Sequence, residues 1–242
     1  MTPRLETVAF DSLIVRLFDE IDEAHMPWVL AADRALREAL GDDLLELVPS
    51  YTTLLAQVDV TRLDLFEARA RILAALKGLE PLAAGAGTLH EIPVWYDPSV
   101  GPELAPIAER LKTSVEDVVA RHTARDYSVF ALGFAPGYGF MGLVEQALAT
   151  PRLKTPRQKV AAGSVGIADR QTAIYPALSP GGWNLVGRTA VQLFDREREG
   201  YTLFEPGDKV RFVAIERAAF IDQGGDTRPQ GEVSPADQEG KA

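Results

Sequence analysis

The chain has 242 residues, 46% of them hydrophobic, a formal net charge of −10, a pI near 4.9 and no cysteine. That is enough apolar material for a core in one or two domains. The acidity argues against nucleic acid and anionic membranes as partners, and the missing cysteine excludes disulfides and thiolate chemistry.

The opening MTPRLETVAF lacks the apolar segment of a secretory signal, and no apolar run approaches membrane-spanning length. A soluble, cytoplasmic chain is expected. Residues 12–18 (SLIVRLF) read as a strand. Ile21, Ala24, Trp28, Ala31, Ala35 and Ala39 recur at helical spacing over residues 22–40, with Gly41 as the stop and Pro27 marking the true start. Residues 44–48 and 53–59 look like two strands joined across Pro49-Ser50. Leu65, Ala68, Ile72, Leu76 and Leu79 trace one face of a second helix, and residues 88–96 (TLHEIPVWY) form a last strand. The order β-α-β-β-α-β predicts a split-βαβ domain over residues 1–96, with the Gly/Ala-rich 83–87 segment as a loop.

From Asp97 the pattern changes. Residues 103–111 read as a short helix, and Thr113 offers a capping box with Glu116 that opens a helix through Val118, Val119 and His122. Short apolar runs then alternate with Gly/Pro turns at 127–134, 164–168, 172–175, 183–186, 191–194 and 209–215, the signature of a β-barrel or sandwich over residues 97–220. Residues 221–242 are polar and rich in Gly, Pro and acids, and a disordered tail is expected there. The chain as a whole is α+β.

The densest chemistry lies between residues 127 and 189. No acid occurs between Glu145 and Asp169, while Arg152, Lys154, Arg157 and Lys159 make a basic island on an acidic body. Such an island suits a small anion or an acidic partner, and it equally suits a solvated loop. Gly137-Tyr-Gly139-Phe-Met-Gly142 matches G-x-G-x-x-G, but no long helix follows and the offset of about twenty residues lands in the acid-free stretch. It is not a dinucleotide site. Ala162-Gly-Ser164-Val-Gly166 fails as a nucleophile elbow because Ala162 stands where the first glycine belongs. Ser164 remains a candidate donor, with a tight turn as the competing reading. His25, His90 and His122 show no metal-ligand spacing, and there is no phosphate-binding loop of the G-x-x-x-x-G-K type. Arg152, Arg157 and Arg188 sit beside Pro or Gly turns and can fork onto carboxylates or phosphates. Gln171, Tyr175 and Ser179 add neutral hydrogen-bonding groups. Trp183, after Pro180-Gly-Gly182, reads as a packing anchor, with a ligand platform as the competing reading.

These motifs, in this order, resemble one family. Phe134-Ala-Pro-Gly137, Pro151-Arg152, Pro156-Arg157, Ala162-Gly-Ser-Val-Gly-Ile167, Gln171-Thr172, Tyr175-Pro176, Ser179-Pro-Gly-Gly-Trp183 and Gly187-Arg-Thr189 are similar to the family of 5-oxoprolinase B subunits. That family is also labelled allophanate hydrolase subunit 1 or Kip-type kinase inhibitor. The likeness extends to EIPVWY, Gly101-Pro-Glu-Leu104 and His122-Thr123. It implies an N-terminal α/β domain followed by a cyclophilin-like β-barrel, and kinship with the carboxyltransferase region (subdomains C and D) of urea carboxylase. It also implies a homologous C subunit and a third subunit as partners, with ATP and magnesium used at the level of the complex and no metal or prosthetic group on this chain. The reaction implied is the opening of 5-oxo-L-proline to L-glutamate. A lactam is a poor electrophile, and phosphorylating its oxygen would create a leaving group, a charge development that arginines and backbone donors suit.

The chain departs from the family pattern where Ala161 and Ala190 replace Pro, and where Asp169 and Ala173 replace Gly. The loss of two loop glycines bears on substrate identity more than on fold. The expected roles are Arg152, Arg157 and Arg188 for anion binding, Ser164, Gln171 and Tyr175 for orienting substrate, and His122 as an acid/base candidate, with a structural role at its helix end as the competing reading. Two other functions stay open at this stage: inhibition of a sensor histidine kinase, and a carboxyltransferase-like part in urea or allophanate metabolism.

Overall fold

A computed structural model describes residues 2–83 and 87–231. The chain divides into two compact units, Met1–Thr88 and Leu89–Ala242. The first contains β1 (Arg4–Ala9), β2 (Ser12–Arg16), α1 (Met26–Leu40), β3 (Leu44–Ser50), β4 (Thr53–Val58) and α2 (Leu65–Ala75). Its sheet runs β1-β2-β4-β3 and is antiparallel throughout. Period-two alternation puts Leu13, Val15, Leu54, Ala56 and Val58 on one face, where Val29, Ala32 and Leu36 of α1 and Ala68 and Ile72 of α2 cover them. Pro27 stands in the first turn of α1, as its missing N–H allows. Strand β1 escapes the hydrophobic pattern because, as a mostly exposed edge, it carries Arg4 and Glu6 and little apolar alternation.

The second unit contains β5 (Leu89–Val94), α3 (Leu104–Leu111), α4 (Val115–Thr123), β6 (Asp126–Leu132), β7 (Gly139–Gly142), β8 (Arg157–Val160), β9 (Ser164–Ala168), β10 (Gln171–Ile174), β11 (Ser179–Gly181), β12 (Asn184–Arg188), β13 (Lys209–Ala214) and α5 (Arg217–Asp222). Seven strands form one sheet in the order β12-β9-β10-β7-β6-β13-β5, and β8 pairs with β11 beside it. The two ends of that sheet meet. Trp95, just past β5, and Arg188 of β12 exchange both backbone hydrogen bonds at 2.9 Å, which brings the barrel nearly to closure. Gly187 permits the approach: a Cβ there would stand 2.7 Å from Val94 Cγ1 and 2.9 Å from the Trp95 carbonyl oxygen. Ile92, Val94, Val129, Met141, Val165, Ile167, Val186 and Phe212 fill the interior, with Val118 of α4 against them.

The α+β class and the barrel hold, while the membership of one strand changes. The sequence pattern places residues 88–96 in the N-terminal split-βαβ domain. Instead β5 pairs parallel with β13 over all six residues and buries Ile92 and Val94 in the barrel. Alternation tells which side chains are buried, not which sheet receives them. The unit boundary therefore falls before this strand rather than at 96. Ser114, not Thr113, caps α4 by accepting the Asp117 N–H; Thr113 instead donates to the Asp117 carboxylate. Residues 191–194 make only an isolated bridge from Phe194 to Thr202. The segment expected to be a disordered tail is structured as far as residue 231: α5 runs to Asp222, and Gln230 N–H donates to the Ser99 carbonyl at 2.7 Å. Its polar residues find backbone and side-chain partners on the barrel, which composition does not register. Most of the 83–87 loop and residues 232–242 lie outside the described residues.

Candidate functional site

The turn between β6 and β7 begins with an unusual backbone. Phe134 has φ of 71°, a region that bulky side chains avoid, and its ring is 61% exposed. That strain holds an aromatic face toward solvent instead of burying it. Around it Tyr138, Phe140, Tyr175 and Trp183 complete a pocket of about 250 Å³, with Arg152 at its side. The rings meet edge to face: Tyr138 with Tyr175 at 5.5 Å and 83°, and Tyr138 with Trp183 at 6.0 Å and 89°. Trp183 is the packing anchor expected of it and also a pocket wall. Gly181 is required here, because a Cβ would land on the Tyr175 hydroxyl. Burial pushes the Tyr175 phenol above its usual pKa, so at neutral pH it is a hydrogen-bond donor rather than an anion.

The guanidinium of Arg152 lies 5.7 Å from the Trp183 ring centroid and makes no ion pair among the described residues. Arg157, directly after the turn residue Pro156, is different. It forms an ion pair with the Glu103 carboxylate, whose other oxygen accepts the Leu185 N–H at 2.8 Å. Its charge is already matched, so it braces the pocket wall by Trp183, whose carbonyl it also reaches at 3.4 Å.

Arg188 and Ser164 stand apart from this pocket, paired across β12 and β9. Arg188 is 1% exposed. Its Nη1 donates to the carbonyls of Asp226 and Arg228 at 2.7 and 2.8 Å, and Nη2 reaches Gln230 Oε1 at 3.4 Å. Ser164 Oγ lies 3.4 Å from the same Gln230 oxygen. The single electropositive hollow expected of the three arginines is therefore not formed: one is free beside aromatic rings, one is neutralised, and one is buried beneath the C-terminal segment.

His122 is placed in the barrel core, also 1% exposed, and stacks on Phe212 at 4.7 Å. Thr172 commits its one hydroxyl proton to the Gly166 carbonyl at 3.1 Å, so His122 Nε2–H donates to Thr172 Oγ1 at 3.0 Å. Nδ1 then accepts the Tyr96 O–H at 2.8 Å. Burial lowers its pKa to about 3. A neutral imidazole with both nitrogens engaged links Tyr96 to Thr172 in the core, the structural reading of His122 rather than the acid/base one. Gln171 opens β10, its backbone in register with Gly142 and Ala168, and does not line the aromatic pocket.

Two departures from the family pattern acquire a physical meaning. Asp169 has φ of 50°, a conformation glycine takes without strain and Asp tolerates. Ala173 is not in a loop; it lies in β10, buried with Tyr138, Tyr175 and Trp183 behind the pocket. Phe134, Tyr138 and Phe140 are pocket residues that sequence reasoning does not single out, although the FAPGYGF run is conspicuous. Glu103 is visible within the Gly-Pro-Glu-Leu motif, whereas nothing in the tail's composition points to Gln230.

The fold and these motifs agree with what the chain resembles. Residues 3–204 match the family described as carboxyltransferase domain, subdomain C and D, and the chain belongs to that family. More narrowly, it belongs with the B subunits of 5-oxoprolinase. It is 34% identical over 227 residues to the 5-oxoprolinase B subunit of Bacillus subtilis (strain 168), covering 90% of this chain and 95% of that one. It is 40% identical over 199 residues to the protein of the same name from Escherichia coli O157:H7, covering 79% and 89%. The crystal structure of TTHA0988 superposes with a TM-score of 0.74 at 41% identity, covering 85% of this chain, which spans only 40% of that longer one. The Kluyveromyces lactis urea carboxylase shares the fold, with a TM-score of 0.73 at 16% identity over 91% of this chain and 22% of that one.

Proposed function

We propose that this chain is the B subunit of an ATP-dependent 5-oxoprolinase, which with a homologous C subunit and a third subunit opens 5-oxo-L-proline to L-glutamate. One observation carries the reading: the nearly end-to-end match to chains of that name. The aromatic pocket supplies a place for the substrate. Its rings fit an apolar five-membered ring, the Arg152 guanidinium fits the carboxylate, and the Tyr175 phenol is held neutral for donation to an oxygen. Ring opening adds one water across the lactam C–N bond, leaving an amine and a second carboxylate. This chain's part in it is binding and orientation.

Among the described residues no three His, Cys, Asp or Glu side chains form a group able to hold a metal ion. The sequence also has no phosphate-binding loop. In this reading ATP is bound elsewhere in the complex.

The test is reconstitution with the partner subunits and an assay of ATP-dependent glutamate formation. Arg152→Ala is expected to raise KM by about ten-fold or more, the loss of one charge-assisted contact. Failure of every assembly containing the chain to form glutamate would overturn the function. Unaltered kinetics in Arg152→Ala would overturn the pocket alone.

A further inference from the structure

A buried guanidinium is costly unless an anion meets it. Arg188 is buried, yet no carboxylate touches it among the described residues. Its partners are neutral oxygens, all from one segment. Its Nε is buried with no hydrogen-bond partner among the described residues. The nearby carboxylate of Asp226 is turned to its own neighbour, binding Arg228 through Nε at 2.8 Å and through Nη2. Arg188 therefore feels the Asp226 carboxylate only at a distance, and no carboxylate is bonded to it among the described residues.

The segment itself lies on the surface. It leaves α5 through Gly224, with φ of 81°, and Gly225, which packs on the Phe220 ring. None of residues 223–231 is buried. Its contacts with the barrel include, besides the bonds to Arg188, the Gln230 N–H donating to the Ser99 carbonyl at 2.7 Å and Gln230 Nε2 donating to the Lys159 carbonyl at 2.9 Å. Alongside it is an open cleft of about 250 Å³, lined by Gly163, Pro176 and Arg188 from the barrel and by Gly224, Gly225 and Asp226 from the segment, which reaches Arg188 but is not lined by Ser164 or Gln230. Gln230 Oε1 stands 3.4 Å from both Arg188 Nη2 and Ser164 Oγ, long for either bond. An oxygen occupies the spot where two donors converge, but an uncharged and poorly fitted one.

We propose that Arg188 and Ser164 form a second binding site, selective for a small free carboxylate, which residues 224–231 close like a strap. A carboxylate would take the position of the Gln230 amide oxygen, fork onto the guanidinium, and accept the Ser164 hydroxyl. Binding then releases the strap. This goes beyond the substrate reading above and does not depend on it.

The experiment uses the full chain, with acetate as the probe and acetamide as its neutral counterpart. Hydrogen exchange of the amides of residues 225–231 reports release. Acetate is expected to speed that exchange in the wild type, and Gln230→Ala is expected to bind acetate about ten-fold tighter, because the competing amide is gone. Adding Arg188→Lys to Gln230→Ala removes the forked contact and most of the response. Should that double variant not fold, Ser164→Ala in the same background is expected to weaken acetate about three-fold. Unchanged exchange with acetate in both wild type and Gln230→Ala overturns the site. So does an equal response to acetamide, or a response unaffected by both Arg188→Lys and Ser164→Ala.

Discussion

Arg152 and Arg188 lie in matching motifs of one barrel, each beside a Pro or Gly turn, and their surroundings are opposite. Arg152 rests over an indole ring, open to solvent and without an ion pair among the described residues. Arg188 is enclosed, bonded to backbone carbonyls, and its strand closes the barrel against Trp95. A solvated guanidinium is available to a ligand with little rearrangement. A buried one is tied to the stability of whatever encloses it. The same residue type therefore predicts different losses when the two regions are disturbed.

The largest effect is expected on the enclosed side. Gly163 has φ of 77°, and a Cβ there would land on the Thr189 carbonyl oxygen, next to Arg188. Gly163→Ala should destabilise the chain by about 4 kcal/mol in urea denaturation. A loss below about 1 kcal/mol would mean that this wall yields easily.

Next comes the core link at His122. His122→Ala leaves the Tyr96 hydroxyl and Thr172 without their partner and opens a cavity, at a cost of about 3 kcal/mol. The wild type also carries a pH signature. The folded pKa of about 3 lies below the unfolded value of 6.5, so between them the unfolded chain binds more protons. Stability from this group is whole above pH 6.5 and falls with acidification toward pH 3, by about 1.4 kcal/mol per unit. His122→Gln should flatten that part of the stability profile. An unchanged acid limb would show that another group controls it.

A smaller effect belongs to the brace. Arg157→Ala leaves the Glu103 carboxylate, among the described residues, with the Leu185 N–H alone, and should cost about 2 kcal/mol in thermal or chemical unfolding. The smallest effect on stability is expected in the open pocket. Arg152→Ala should stay within about 0.5 kcal/mol of wild type, and Phe134→Gly should lose no stability because it relieves the positive φ. Both should still raise KM in the assembled enzyme. A large stability loss from Arg152→Ala would erase the contrast between the two arginines.

Much of the fold is legible in the sequence. Leu13 and Val15, Leu54 and Ala56, and the helical faces through Ala68 and Ile72 all follow local periodicity, and each lies where its alternation predicts. Pro27 at the start of α1 is a local effect as well. The candidate site is legible in part: Arg152, Tyr175 and the residues around Trp183 stand out by type and turn context. Their convergence does not, since Phe134, Arg152 and Trp183 come from separate turns.

The sequence alone determined the α+β class, the buried faces and the family motifs, because periodicity, turn chemistry and residue type act over a few neighbours. The tertiary structure decided that β5 joins the barrel, that Arg157 pairs with Glu103, and that residues 223–231 return to cover Arg188. Each of these depends on a partner tens of residues away, and a guanidinium's role is set by whichever oxygen reaches it first in space.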